Sequence, residues 1–275
     1  MGKLTTYPAG TRFDSGDILI KDGTGGTKKI LASDAASEFA GLVSAINHRN
    51  IYRGKNLGTA ITAAQQTAIQ TGTFDDLFIG DYWTLNGHIY EIADMDYWYN
   101  CGDTAFTKHH LVVVPRNKMY DATMNATNTT DGGYVGSLMY TTNLNTAKTQ
   151  ITTDFGALLL SHRQYFTNAV TAGVPSGGAW FDSTVDLMNE PMVYGSHFFG
   201  PAGDGVLMPT RYTIDNSQLA LFRLNPRAYK NRESIWLRDV VSAAYFALVA
   251  YDGDTGYNNA STSFGVRPAF AVGLA

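Results

Sequence analysis

Two stretches decide how this chain reads: Trp236-Leu237-Arg238-Asp239 and Gly265-Val266-Arg267-Pro268-Ala269-Phe270. Both are short apolar runs and read as strands. Each carries one arginine among large apolar side chains. Trp236, Arg238 and Arg267 are therefore expected to form a structural frame, with each arginine satisfied by buried carbonyls or a carboxylate. The two strands are expected to pair in one sheet. Between them lie Ser242-Ala243-Ala244-Tyr245-Phe246 and the polar run Tyr251-Asp252-Gly253-Asp254-Thr255-Gly256-Tyr257-Asn258-Asn259. Tyrosine gives rigid contact area with few rotatable bonds, and Asn, Ser, Gly and Asp give adaptable hydrogen bonding. The segment is expected to bind a ligand through Tyr245, Ala247, Tyr251, Asp252, Asp254, Tyr257, Asn258, Asn259 and Phe264. The plainer alternative is a Gly- and Ala-rich strand pair with an ordinary polar turn.

Composition bounds the rest. The 275 residues are 44% hydrophobic and 12% aromatic, ample for a core, with only 16% charged residues and 28 glycines. That profile predicts a β- and loop-rich protein, because a helical bundle needs more Lys, Glu and Leu. The formal net charge is −4. Beyond Lys28-Lys29 there is no cluster of cations, which argues against nucleic acid as a partner. A single cysteine, Cys101, excludes an internal disulfide and a Cys-rich zinc site. No apolar run approaches the roughly 20 residues that cross a bilayer, so membrane insertion is not expected. Nor does the N-terminus read as a signal peptide.

The first 46 residues differ in pattern from the remainder of the chain. Asp17–Asp22 and Thr27–Leu31 read as a hairpin around Gly23-Thr24-Gly25-Gly26, and Ser33 reads as the cap of a helix. Ala35, Phe39, Leu42, Val43 and Ile46 fall on one helical stripe. A unit this small has little core of its own. The stripe is expected to be buried between copies, most simply in a homotrimer. The alternative is a helix packed on its own domain. Residues 47–275 form the main body. Helices are expected over Ala60–Gln70, stopped by Gly72, over Ala147–Phe155, capped by Asn143 or Asn145, and over Ser217–Phe222. Tyr82–Leu85 and His88–Ala93 flank Asn86-Gly87, the strongest short hairpin signal, and Leu111–Pro115 reads as a buried strand.

Catalytic and metal motifs are absent. Adjacent His109 and His110 on a strand would point to opposite faces and could not share an ion. Asp252-Gly253-Asp254-Thr255-Gly256 opens like a calcium loop but lacks the later oxygen donors. Glu91, Asp94 and Asp96 are the acidic group that a glycosidase would need, in surroundings that read equally as aromatic core. No cofactor and no metal ligand set is expected.

Trp-Leu-Arg, a Gly/Asn loop and Gly-Val-Arg-Pro-Ala in this order resemble the end of C-type-lectin-fold proteins. That group includes the variable proteins of diversity-generating retroelements, the formylglycine-generating enzymes and phage-encoded relatives. Asn50–Gly58, Phe74–Trp83 and Tyr99–Thr104 resemble segments of prophage proteins from gut Firmicutes, so the likeness runs from about Asn50 to the end. The N-terminal segment resembles the attachment segment of phage head-fibre or decoration proteins. The resemblance implies an α+β, C-type-lectin-like body of twisted antiparallel sheets with two flanking helices and long loops. It also implies a virion structural protein, made in the host cytoplasm. Its N-terminal segment would dock on a capsid or tail protein, and its body would bind a host surface glycan or protein. The formylglycine chemistry depends on a cysteine pair and does not transfer to a chain with one. From Asp239 to Phe264 there is no Lys, Glu, Gln, Met or Trp, the types that randomised adenines of AAC or AAT codons cannot reach. Rival expectations are a polysaccharide-degrading tail enzyme and a bacterial surface adhesin.

Overall fold

The computed structural model describes residues 18–21, 28–31, 48–199 and 218–275. The chain divides into two compact units, 1–47 and 48–275. In the first, β1 (Ile18–Lys21) and β2 (Lys28–Leu31) pair antiparallel, Ile18 opposite Leu31 and Lys21 opposite Lys28. This is the hairpin expected from the two short runs around Gly23-Thr24-Gly25-Gly26. Ser33 and the stripe Ala35, Phe39, Leu42, Val43 and Ile46 lie outside the described residues.

The second unit is α+β with mostly antiparallel sheets. Its strands are β3 (Tyr82–Leu85), β4 (His88–Met95), β5 (Leu111–Pro115), β6 (Tyr120–Thr123), β7 (Leu159–Leu160), β8 (His162–Thr171) and β9 (Val174–Ser183). They continue with β10 (Val185–Leu187), β11 (Ile235–Val240), β12 (Tyr245–Val249), β13 (Thr255–Asn259), β14 (Ser263–Val266) and β15 (Pro268–Val272). A six-stranded sheet runs β10-β15-β5-β4-β3, with β7 also paired to β15. A five-stranded sheet runs β13-β12-β11-β14-β6, and β8 and β9 form a long separate hairpin.

Local chemistry explains several elements. Asn86 and Gly87 take φ of 47° and 86°, the doubly positive turn that matches the twist of the β3–β4 hairpin. All five residues of β5 are buried, and its partners β4 and β15 cover both edges. Helix α1 (Ala63–Gln70) starts later than the apolar pattern predicts, because Thr62 and Gln65 form a reciprocal capping box. Trp83 Nε1 donates to Gln65 Oε1 at 3.2 Å and ties that cap to β3. Helix α2 (Asn145–Phe155) buries Ala147, Ile151 and Phe155, one turn apart. Phe155 meets Tyr90 and Phe270 edge-on, each at 5.0 Å. Neither Asn143 nor Asn145 caps α2. A π-helical turn, Met139–Asn143, runs into it through Leu144, and the Asn143 amide instead donates to Thr123 O at 2.8 Å. Among the described residues there are also two five-residue helices, α3 (Glu190–Tyr194) and α4 (Ala220–Leu224). The latter stands where the pattern predicts a helix over Ser217–Phe222, and the former has no periodic signal.

The main correction concerns the two frame strands. They do not share one sheet along their length. Gly265 lies beside Ile235 in a parallel contact of β11 with β14, but from Pro268 the chain belongs to the six-stranded sheet, where Phe270 pairs with Val113 and Val185. Proline has no N–H to give a ladder and begins the new strand. Gly265 is needed at the close approach, since a Cβ there would lie 2.8 Å from Lys118 Cβ and 2.9 Å from Ser234 O.

A polar cluster sits inside the fold. His109 and His110 precede β5. His110 is fully buried, while His109 is half-buried, stacked on Tyr99 and bonded to Asp96 at 2.7 Å. His110 Nε2 accepts from Trp98 N at 3.1 Å and Nδ1 donates to Lys108 O at 2.9 Å. These partners fit the neutral ring and leave no acceptor for a second proton. Burial holds His110 down at about 4 and pushes His162, stacked on Trp98, well below its ordinary value. The folded values lie below the unfolded value of 6.5, so their contribution to stability is full above pH 6.5 and is lost as pH falls through about 4. The thermal midpoint is expected to decline steadily from pH 6.5 towards 4, with both imidazoles neutral at pH 5 by ¹⁵N NMR. A charged His110 ring at pH 5.5 in the folded protein would contradict this.

Candidate ligand-binding face

The segment between the frame strands is not a free loop. It forms β12 and β13, an antiparallel pair with Tyr245 opposite Asn259 and Val249 opposite Thr255. β12 is interior, held by β11 on its other edge, and every residue of β11 is buried. β13 is the outer strand. The connecting turn is closed by Gly253 N to Ala250 O at 2.8 Å and by Asp254 N to Asp252 Oδ1 at 3.1 Å. Asp252-Gly253-Asp254 is thus an aspartate-stabilised turn. The Tyr194 hydroxyl donates to Asp254 O at 3.0 Å and clamps the turn to the end of α3. Burial, with Tyr229 and Glu190 nearby, raises that hydroxyl far above the ordinary tyrosine value, so it stays a donor.

The expected contact residues separate into classes. Tyr251 and Tyr257 are 64% and 48% exposed, and Asp252 and Asp254 are exposed beside them. Tyr245 is half-buried and meets Tyr257 at 5.4 Å. Asn258 and Asn259 are half-buried, and Asn258 Oδ1 accepts from Asn259 N at 2.8 Å and the Thr262 hydroxyl at 3.2 Å, so its carbonyl holds the β13–β14 turn. Ala247, on β12 between β11 and β13, is fully buried and cannot contact a ligand. Phe264 packs edge-on against Trp236 at 5.1 Å and belongs with the frame.

Sequence reasoning missed the other half of this face. Phe199 meets Tyr257 edge-on at 4.9 Å, and Phe198, 57% exposed, meets Tyr194 at 5.6 Å. These residues come after α3, far from the insert in sequence. Only the density of aromatics in Tyr194–Phe199 could have pointed to them.

Both frame arginines donate to backbone carbonyls. Arg238 Nη1 donates to Leu187 O at 2.9 Å, with the guanidinium 5.0 Å from the Phe166 ring centre. Trp236 Nε1 donates to Ala122 O at 2.9 Å. Arg267 is fully buried, donating from Nε to Pro115 O and from Nη1 to Ala228 O, both at 2.7 Å. Desolvation lowers its pKa to about 10, against the pull of Glu91 and Glu233.

The acidic residues that a hydrolase would use are engaged elsewhere. Glu91 pairs with Arg116 at 2.8 Å, Asp94 is buried against Arg49 and also accepts from Ala220 N, and Asp96 binds His109 and accepts from His110 N. One group with metal-ligand chemistry does assemble among the described residues: Glu190, His197 and Asp239. Asp239 is next to Arg238 on β11, so the two point to opposite faces, Arg238 towards Phe166 and Asp239 towards α3. The sequence separation of the three residues matches no metal motif.

Comparison with protein-family models, with curated proteins and with solved structures gives no match.

Arg267→Ala is expected to cost on the order of 3 kcal/mol or more in urea unfolding, since it takes the arginine donors from the buried Pro115 carbonyl and the part-buried Ala228 carbonyl and opens a cavity. Arg267→Lys should recover only part of this, because one ammonium cannot reproduce the fork that reaches both carbonyls. Full stability of the lysine variant would show that charge alone, not the two-pronged geometry, is what the site requires.

Proposed function

We propose that residues 48–275 form a non-catalytic binding domain of C-type-lectin-like kind that displays the β12–β13 face to a host-surface glycan or protein. The observation that carries it is the exposure of Tyr251 and Tyr257 on a hairpin whose inner strand and supporting β11 are buried. Aromatic area held on a rigid support costs little entropy on binding. Tyrosine rings also stack on sugar faces, and Asp252 and Asp254 lie beside them to accept hydrogen bonds. The ion pairs of Glu91 and Asp94 and the hydrogen bonds of Asp96 weigh against the hydrolase alternative.

The resemblance of the frame and of the N-terminal segment to phage proteins supports a place on a virion, as a head-fibre, decoration or receptor-binding protein. Residues 1–46 would then attach to a capsid or tail protein and hold a homotrimer together. Light scattering is expected to give three chains for the full sequence and one for a Phe39→Asp, Leu42→Asp variant. A monomeric full-length chain at micromolar concentration would overturn the trimer.

Replacing Tyr251 and Tyr257 together by alanine tests the binding face. The thermal midpoint should stay within roughly 5 °C of the parent, because exposed positions usually cost under about 0.5 kcal/mol each. Attachment to a panel of Firmicutes cells or to a glycan array should fall at least about tenfold, or ~1.4 kcal/mol. Unchanged attachment by a folded double variant would move the binding site away from this hairpin.

A further inference from the structure

We propose that Glu190, His197 and Asp239 bind one divalent transition-metal ion of the zinc type, at the base of the segment that carries Phe198 and Phe199. One ligand atom from each residue lies within 4.8 Å of the others. Donors bonded at ~2.1 Å to one tetrahedral ion stand about 3.4 Å apart, so a modest rotamer adjustment closes the set.

The surroundings are arranged as outer shells of metal sites are. Glu190 is buried, and its carboxylate accepts from Phe198 N at 2.9 Å and from Phe199 N at 3.1 Å. Asp239 is buried, and its Oδ2 accepts from Glu190 N at 2.8 Å. Its Oδ1 then faces His197 Nδ1 at 3.8 Å. Hydrogen bonds of this kind orient the carboxylates before an ion arrives. His197 brings a nitrogen donor to the two carboxylates. Both of its ring nitrogens are shut off from solvent and have no hydrogen-bond partner among the described residues. His197 as a whole is half-buried, but ring nitrogens closed off from solvent without a hydrogen bond are an unmet cost, and coordination through one of them removes it.

The donor types select the class of ion. One imidazole nitrogen with two carboxylate oxygens suits zinc, manganese or iron(II), whereas calcium prefers six to eight oxygens. Three protein ligands leave a position for water. The ion would join β11, through Asp239, to α3 and the segment after it, and through Phe199 would steady Tyr257. The site rests on its own geometry, whatever the aromatic face binds.

Calorimetric titration of the intact, chelator-stripped protein with zinc chloride is the test. One ion per chain is expected, with a Kd on the order of micromolar or tighter, a thermal midpoint that rises with zinc, and visible d–d bands when cobalt(II) replaces zinc. His197→Ala should weaken zinc at least tenfold while the metal-free midpoint stays near the parent's. His197→Gln, which keeps a polar head group, should do the same if alanine disturbs folding. His88→Ala, at an exposed histidine, should bind as the parent does. The proposal fails if the parent binds no stoichiometric zinc, if either His197 variant binds as tightly as the parent, or if equimolar calcium displaces the zinc. None of these outcomes involves cell or glycan attachment, so they are independent of the binding-face proposal.

Discussion

A buried guanidinium sits where the two large sheets meet, and much of the fold answers to it. Arg267 lies between β14 and β15, at the residue where one continuous run leaves the five-stranded sheet and enters the six-stranded one. A charge taken out of water must be met by well-placed acceptors. Here they are the carbonyl at the end of β5 and the carbonyl of Ala228. Meeting them pins the last residue of β5, the short turn Pro226–Ala228 and the crossing point to one another. The Phe222 ring lies 5.5 Å below the guanidinium and closes the remaining side. From that point β15 enters the sheet between β10 and β5 and delivers Phe270 to Tyr90 and Phe155.

The second arginine does similar work one layer away. Arg238 reaches Leu187 O and lies over Phe166 of the β8–β9 hairpin. Beside it, Asp186 accepts from Tyr134 at 3.0 Å and Ser183 at 2.5 Å. Burial raises the Asp186 carboxyl above its usual range even with Arg238 and Lys148 drawing it down. A polar network of this kind satisfies its members only in one arrangement, so it sets the register of the elements around it. Together the two arginines tie β11 and the β14–β15 crossing to the backbone around them, and the aromatic face is built on that support.

The aromatic face has two sources that meet only in space. β13 and its turn supply Tyr251 and Tyr257, and the segment after α3 supplies Phe198 and Phe199. Their junction runs through Glu190, whose backbone N–H binds Asp239 on β11 and whose carboxylate binds the backbone of Phe198 and Phe199. The polar contacts beneath the face therefore decide how its rings are presented.

Alternating apolar residues, the Asn86-Gly87 turn and the apolar stripes of α1 and α2 were enough to place the β3–β4 hairpin, β5 and both longer helices, because these are local and periodic. The isolated arginines in apolar runs likewise marked the frame, since a charge in such a run must be buried and bonded. What the sequence could not supply was partnership. Nothing local says that Gly265-Val266 and Pro268-Ala269-Phe270 serve different sheets, because the switch depends on where Pro115 O and Ala228 O lie around Arg267. Nothing local says that Ala247 is covered while Tyr257, directly across the strand pair, is open, because that depends on β11 lying against one edge of β12 and not the other. The α2 cap failed for the same reason: the Asn143 side chain is drawn to Thr123 O on β6, and the π-helical turn leaves Leu144 at the start of the helix. Glu190, His197 and Asp239 carry no spacing signal at all. Composition pointed to a β- and loop-rich chain and supplied the residue types of the face, and periodicity placed the local elements. Long-range hydrogen bonds to buried charges decided which of those residues meet and which of them reach solvent.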